Sequence, residues 1–216
     1  ITSSITADAY AAASTAKNEN VFANITDTQS NEYSIWGEVS KGGKLALING
    51  DKGSDITNSA KGKLFIQGEA DGKWWGTAAV KTIGTFTNEG LIYAKDAIGV
   101  MANTDKPSLI TNKGTIVAYG SGDGRGGNTA SAMEATAGNQ KTTLVNNGTI
   151  YALGDANGVR LGDKTTGSSF TNNGKIYADE DAYAIYANNS GSKESSENTI
   201  TVTLNNGSHI EGLVGM

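Results

Sequence analysis

Four times from residue 86 onward this chain writes the same short phrase, at residues 86–94, 110–118, 144–152 and 170–178. In each copy an apolar residue, an Asn, a Gly and a second apolar residue fall two apart (Phe86, Asn88, Gly90 and Ile92 in the first), which is strand alternation around a Gly turn and not a helical period. A second phrase follows each copy after a short gap, at 96–102, 129–135, 155–161 and 181–187. Fainter copies of it are read at 74–77, 35–38 and 8–13, which makes seven. Their small residues, Ala11, Gly37, Gly76, Gly99, Ala132, Gly158 and Ala184, lie 26, 39, 23, 33, 26 and 26 residues apart. A floor with occasional excess is what a coil of fixed circumference with variable loops produces. A unit of two or three short strands cannot bury its own apolar side, so the copies must stack, each strand pairing in parallel with its equivalent one coil away. The expected fold is an all-β parallel β-helix, a solenoid of about seven or eight coils and on the order of 35 Å long.

Register assigns the side chains. Phe86, Ile110, Leu144 and Phe170 form one inward ladder, and Ile92, Ile116, Ile150 and Ile176 another. Asn88, Asn112, Asn146 and Asn172 form a structural amide ladder at a bend. Gly90, Gly114, Gly148 and Gly174 are expected to supply positive φ. Tyr93, Tyr151 and Tyr177, interrupted by Val117, form an outward stripe. The chain reads as a single repeat domain over 1–216, with irregular coils over 1–82, regular coils over 83–187 and an irregular end over 188–216. In that end Ile210 falls one residue too far from Gly207.

Composition narrows the chemistry. With 29 Gly, one Pro and 37% hydrophobic residues the chain is too apolar-poor for a thick core and too patterned for disorder. It has no cysteine, which removes thiol nucleophiles and zinc–thiolate sites. A net charge of −5 with no basic cluster argues against nucleic acid, and no apolar run is long enough to span a bilayer. The only histidine, His209, has no partner motif, so neither a Ser-His-Asp triad nor a histidine metal site is expected. No cofactor is expected. Asp155 and Asp181 occupy equivalent positions with Asp179 and Glu180 beside the second, the best candidates for polysaccharide cleavage; the competing reading is that Asp before a small residue caps a turn. Residues 122–127 spell a G-x-G-x-x-G, but the sister repeats pass the same point without a Gly loop, so an insertion is read and not a dinucleotide site. Asp123, Arg125 and Asn128 in that insertion are candidate ligand contacts, as are Trp36, Trp74 and Trp75, the three tryptophans, which could stack on a sugar.

The phrase Asn146-Asn147-Gly148-Thr149-Ile150-Tyr151-Ala152, its sisters and the trailing Asp155-Ala-x-Gly158-Val159 resemble the adhesin-like passenger regions of Gram-negative autotransporters. The resemblance covers 83–187 well and 1–82 weakly. It implies a right-handed β-helix exposed at the bacterial cell surface after type V secretion through the outer membrane. It also implies a role in cell adhesion and virulence without catalysis. The implied partners are a host-cell or bacterial surface protein or glycan, with self-association beside them. The segment itself would not insert in a membrane. A structural spacer or toxin-passenger segment and a polysaccharide-binding or -cleaving enzyme are the alternatives. The pattern opens in mid-phrase and stops at 213–216 without a polar cap, so a longer parent chain is expected.

Overall fold

The structure, a computed structural model, describes residues 33–38, 45–68, 77–102, 107–121, 130–135, 141–162, 167–188 and 200–215. These contain no helix; they form parallel strands stacked in three faces. Face one holds β1 (Tyr33–Glu38), β3 (Gly62–Gln67), β5 (Leu91–Lys95), β8 (Thr115–Gly120), β11 (Thr149–Gly154), β14 (Lys175–Ala178) and β17 (His209–Glu211), hydrogen-bonded in that order. Face two holds the first halves of β2 (Ala46–Asn58) and β4 (Ala78–Asn88), then β6 (Ile98–Ala102), β9 (Ser131–Ala135), β12 (Asn157–Gly162), β15 (Tyr183–Asn188) and β18 (Leu213–Gly215). Face three holds the second halves of β2 and β4, then β7 (Ser108–Asn112), β10 (Thr142–Asn146), β13 (Ser169–Asn172) and β16 (Thr201–Leu204). The chain visits the faces in the order one, two, three and returns to one, which makes seven coils among the described residues, the last described one having strands on faces one and two. In the first two coils faces two and three are a single long bent strand, so the repeat is disguised there while the coil persists.

Each face sends alternate side chains inward. Ile35, Leu64, Ile92, Ile116, Ile150, Ile176 and Ile210 register as one ladder along face one. Ile56, Phe86, Ile110, Leu144, Phe170 and Val202 do so along face three. Both ladders belong to one continuous core, most of it fully buried. The extra residue before Ile210 is absorbed in the turn, and Ile210 pairs with Ile176 in register. Phe86→Ala removes one complete rung and is expected to cost about 3–5 kcal/mol, measured as a fall in the urea midpoint at unchanged slope.

Between faces three and one, Asn88, Asn112, Asn146 and Asn172 are fully buried and hydrogen-bonded in series. The ladder also includes Asn58, whose Nδ2 donates to Asn88 Oδ1 at 2.7 Å. Onward, Asn88 Nδ2 donates to Asn112 Oδ1 at 2.9 Å, Asn112 to Asn146 at 2.8 Å and Asn146 to Asn172 at 2.8 Å. Leu204 takes the next position and ends the series. The glycines beside this ladder differ from expectation. None of Gly90, Gly114, Gly148 or Gly174 has positive φ. They are required by close approach, since a Cβ on Gly114, Gly148 or Gly174 would lie 2.1–2.2 Å from the carbonyl oxygen of the equivalent glycine one coil back.

The small residues of face two are also partly reassigned. Gly99, Ala132, Gly158 and Ala184 do align, at a kink where the pairing skips a position. Ala79, not Gly76, stands opposite Gly99, and Leu47 stands opposite Ala79. Ile35-Trp36-Gly37 belongs to face one, opposite Leu64-Phe65-Ile66 and through it Ile92-Tyr93-Ala94. A Trp-Gly pair at 36–37 and again at 75–76 invited one alignment; inward Ile35 and outward Trp36 impose another.

Candidate binding surface

The outer sides of the three faces differ. On face two, Ala78 and Ile98 pack with Met101 in a small cluster apart from the main core, and Ser131 is fully buried. Glu134, on the same face, is buried and pairs with Arg160 at 3.9 Å, its registered neighbour one coil on. Faces one and three carry open outer columns along the described rod, whereas face two is open only towards its far end, at Leu213 and Val214.

The central outward column of face one runs Trp36, Phe65, Tyr93, Val117, Tyr151, Tyr177 and Glu211. The expected Tyr stripe is therefore longer than its sequence signature and takes in Trp36, which is 47% exposed. Tyr151 and Tyr177 stack with centroids 5.4 Å apart and planes 18° apart; Phe65 and Tyr93 are tilted at 6.4 Å, and Tyr177 meets the His209 ring at 5.2 Å. Rings stacked along the axis spend their faces on one another and show solvent their edges and hydroxyls. Tyr177, between Tyr151 and His209, thus offers little platform to a sugar. Trp36, at the head of the column and with no ring partner among the described residues, keeps more of its surface available. Trp74, Trp75, Asp123, Arg125 and Asn128 lie outside the described residues.

The carboxylates set aside for polysaccharide chemistry hold corners. Asp179 Oδ2 accepts from the Gly154 N–H at 2.8 Å, and its own N–H donates to Ala152 O at 2.9 Å. Asp96, held at φ 49°, accepts from both the N–H and the hydroxyl of Ser121 at 2.7 and 2.8 Å. The Asp155 N–H donates to Gly120 O, and its Oδ1 stands where a Cβ on Gly120 would be. Glu180 and Asp181 are exposed beyond them. Each contact joins one coil to the next or closes a turn, as expected of short polar side chains at such corners. No group of three or more metal-ligating side chains forms among the described residues.

At the corner joining faces three and one, where the turn after Asn58 carries two extra residues, a shallow groove of about 360 Å³ runs past Ala60, Lys63, Glu89, Leu91 and Thr115. Lys113 bridges to Glu89 at 3.1 Å beside it, and both are well exposed. Further along, Asn205, Asn173 and Asn147 form a second, exposed amide ladder. The class defined by these features is a parallel β-solenoid with two open faces. The chain matches no protein-family model, no curated protein and no solved structure.

Proposed function

We propose that this chain is a non-catalytic adhesive segment of an autotransporter-type passenger, displayed at the bacterial surface and binding a protein or glycan there. The observation that carries the reading is the role of the repeated phrase. Its Asn and Gly build the buried corner and its Ile the core, while its Tyr positions leave an outward column headed by Trp36 that is aromatic except at Val117 and Glu211. Such a scaffold positions side chains and loops rigidly, and aromatic residues are the commonest anchors of binding surfaces. The carboxylate contacts of Asp96 and Asp179 favour structural over catalytic use of those acidic positions.

The test is binding of the labelled segment to cells and to a glycan array. Two variants accompany it, Trp36→Ala and the triple change Asp123→Ser, Arg125→Ser, Asn128→Ser. Point changes are preferable to removing residues 120–129, because Gly120 O accepts the Asp155 N–H and Ser121 caps Asp96. Saturable binding that falls at least about tenfold in one variant is expected. No binding by the unaltered segment would replace the adhesive reading with that of a spacer. Turnover of a polysaccharide would replace it with that of an enzyme.

A further inference from the structure

The outer side of face three is a two-column array of hydroxyls. One column runs Asp55, Thr85, Leu109, Thr143, Ser169 and Thr201; the other, two residues along each strand, runs Thr57, Thr87, Thr111, Val145, Thr171 and Thr203. Nine of these twelve registered positions are Thr or Ser, and only Asp55 is charged. None of the nine hydroxyls has a hydrogen-bond partner in the protein, whereas the Asn corner beside them is fully bonded. None of the twelve side chains is buried.

Strand propensity explains Thr on an outward β position but not this distribution. Face one is built of the same kind of strand by the same chain, and its outer side carries Glu38, Lys63, Lys95, Lys175 and Glu211. A face with one charge in twelve positions, beside a face whose outer side carries those five, suits an uncharged partner. The array also has a fixed metric. Neighbouring strands set one repeat at about 4.8 Å, and alternate residues on a strand set the other at about 6.7 Å. Thr places a hydroxyl and a methyl at each node, so the methyls restrict the orientation of first-shell water while the hydroxyls anchor it. Val145 keeps the methyl and the Thr shape; Leu109 is the one protruding node.

We infer that face three binds the surface of hexagonal ice, whose oxygen atoms repeat at closely similar intervals in two directions, through water ordered over this Thr array. The inference stands apart from the adhesive reading, which rests on face one and on Asp123, Arg125 and Asn128. The whole segment is assayed for inhibition of ice recrystallisation and for incorporation into a slowly growing ice hemisphere. Thr111→Lys at the array centre is compared with Thr149→Lys, a half-exposed face-one position whose neighbour one coil on is already Lys175. The unaltered segment and Thr149→Lys are expected to hold crystals small and to enter the hemisphere, and Thr111→Lys to require at least about tenfold more protein. Circular dichroism melting checks that each variant is folded, and Thr171→Lys replaces Thr111→Lys if the latter is not. Absence of inhibition by the unaltered segment, or equal loss in face-one and face-three variants, overturns the inference. Retention on microcrystalline chitin or cellulose without any effect on ice overturns it too and assigns the array to a solid polysaccharide.

Discussion

Asn112→Asp is expected to be the most damaging single-atom exchange in this chain, lowering stability by about 3–5 kcal/mol at neutral pH. Asn112 is fully buried, accepts from Asn88 Nδ2 and donates from its own Nδ2 to Asn146 Oδ1 at 2.8 Å and Thr149 O at 3.4 Å. A carboxylate there sets oxygen against two acceptors and buries a charge with no cation beside it. Protonation restores one donor, so burial and the facing oxygens hold the folded-state pKa above the unfolded Asp value of about 3.9. The sign follows. The folded variant binds more protons than the unfolded one between those two values, so the stability deficit is smallest below about pH 4. It grows as pH rises to the folded pKa and is constant above it. Urea unfolding at both ends of that range should show a deficit for Asn112→Asp that shrinks on acidification. Asn112→Leu, which imitates Leu204 at the end of the ladder, should show a smaller deficit that does not change with pH. Equal pH profiles for the two would show that the amide series is not what holds this corner.

Gly148→Ala is expected to cost about 3 kcal/mol or more from a single added methyl. Its Cβ would stand 2.1 Å from Gly114 O, 2.7 Å from Lys113 C and 2.8 Å from Lys113 O, all main chain. Gly114 O also accepts the Thr149 N–H at 2.9 Å, so the coils cannot part without losing a ladder bond. Two other glycines calibrate the effect. At Gly37 the atoms met are the Cδ2 ends of Leu47 and Leu45, which can rotate away, and at Gly167 nothing lies within 4 Å although φ is +68°. Ala at Gly167 should therefore cost about 1 kcal/mol of backbone strain, and Ala at Gly37 less than at Gly148. Because each coil touches only its neighbours, hydrogen exchange in Gly148→Ala should accelerate first at the Thr149 and Asn147 amides and their coil-mates. A uniform loss of protection along the rod would contradict that.

The repeated phrase determined the parallel stack, the inward Ile and Phe ladders and the buried Asn series, because strand alternation and in-register stacking leave each position only one environment. The sequence also carried Asn58, but Ser59-Ala60-Lys61 lengthens the turn before Gly62 and hides the phrase from a fixed-spacing reading. Tertiary structure alone decided which strands neighbour across separations of 20 to 34 residues. That choice placed Trp36 over Phe65, carried Ile210 to Ile176 and put Ala79 opposite Gly99. Loop length can vary at almost no cost to the pairing, so spacing along the chain does not report position across it. The same holds for the glycines and the Thr face. A Gly in the sequence does not say whether φ or a neighbouring carbonyl demands it, and scattered Thr become an array only when six strands are laid side by side at one spacing.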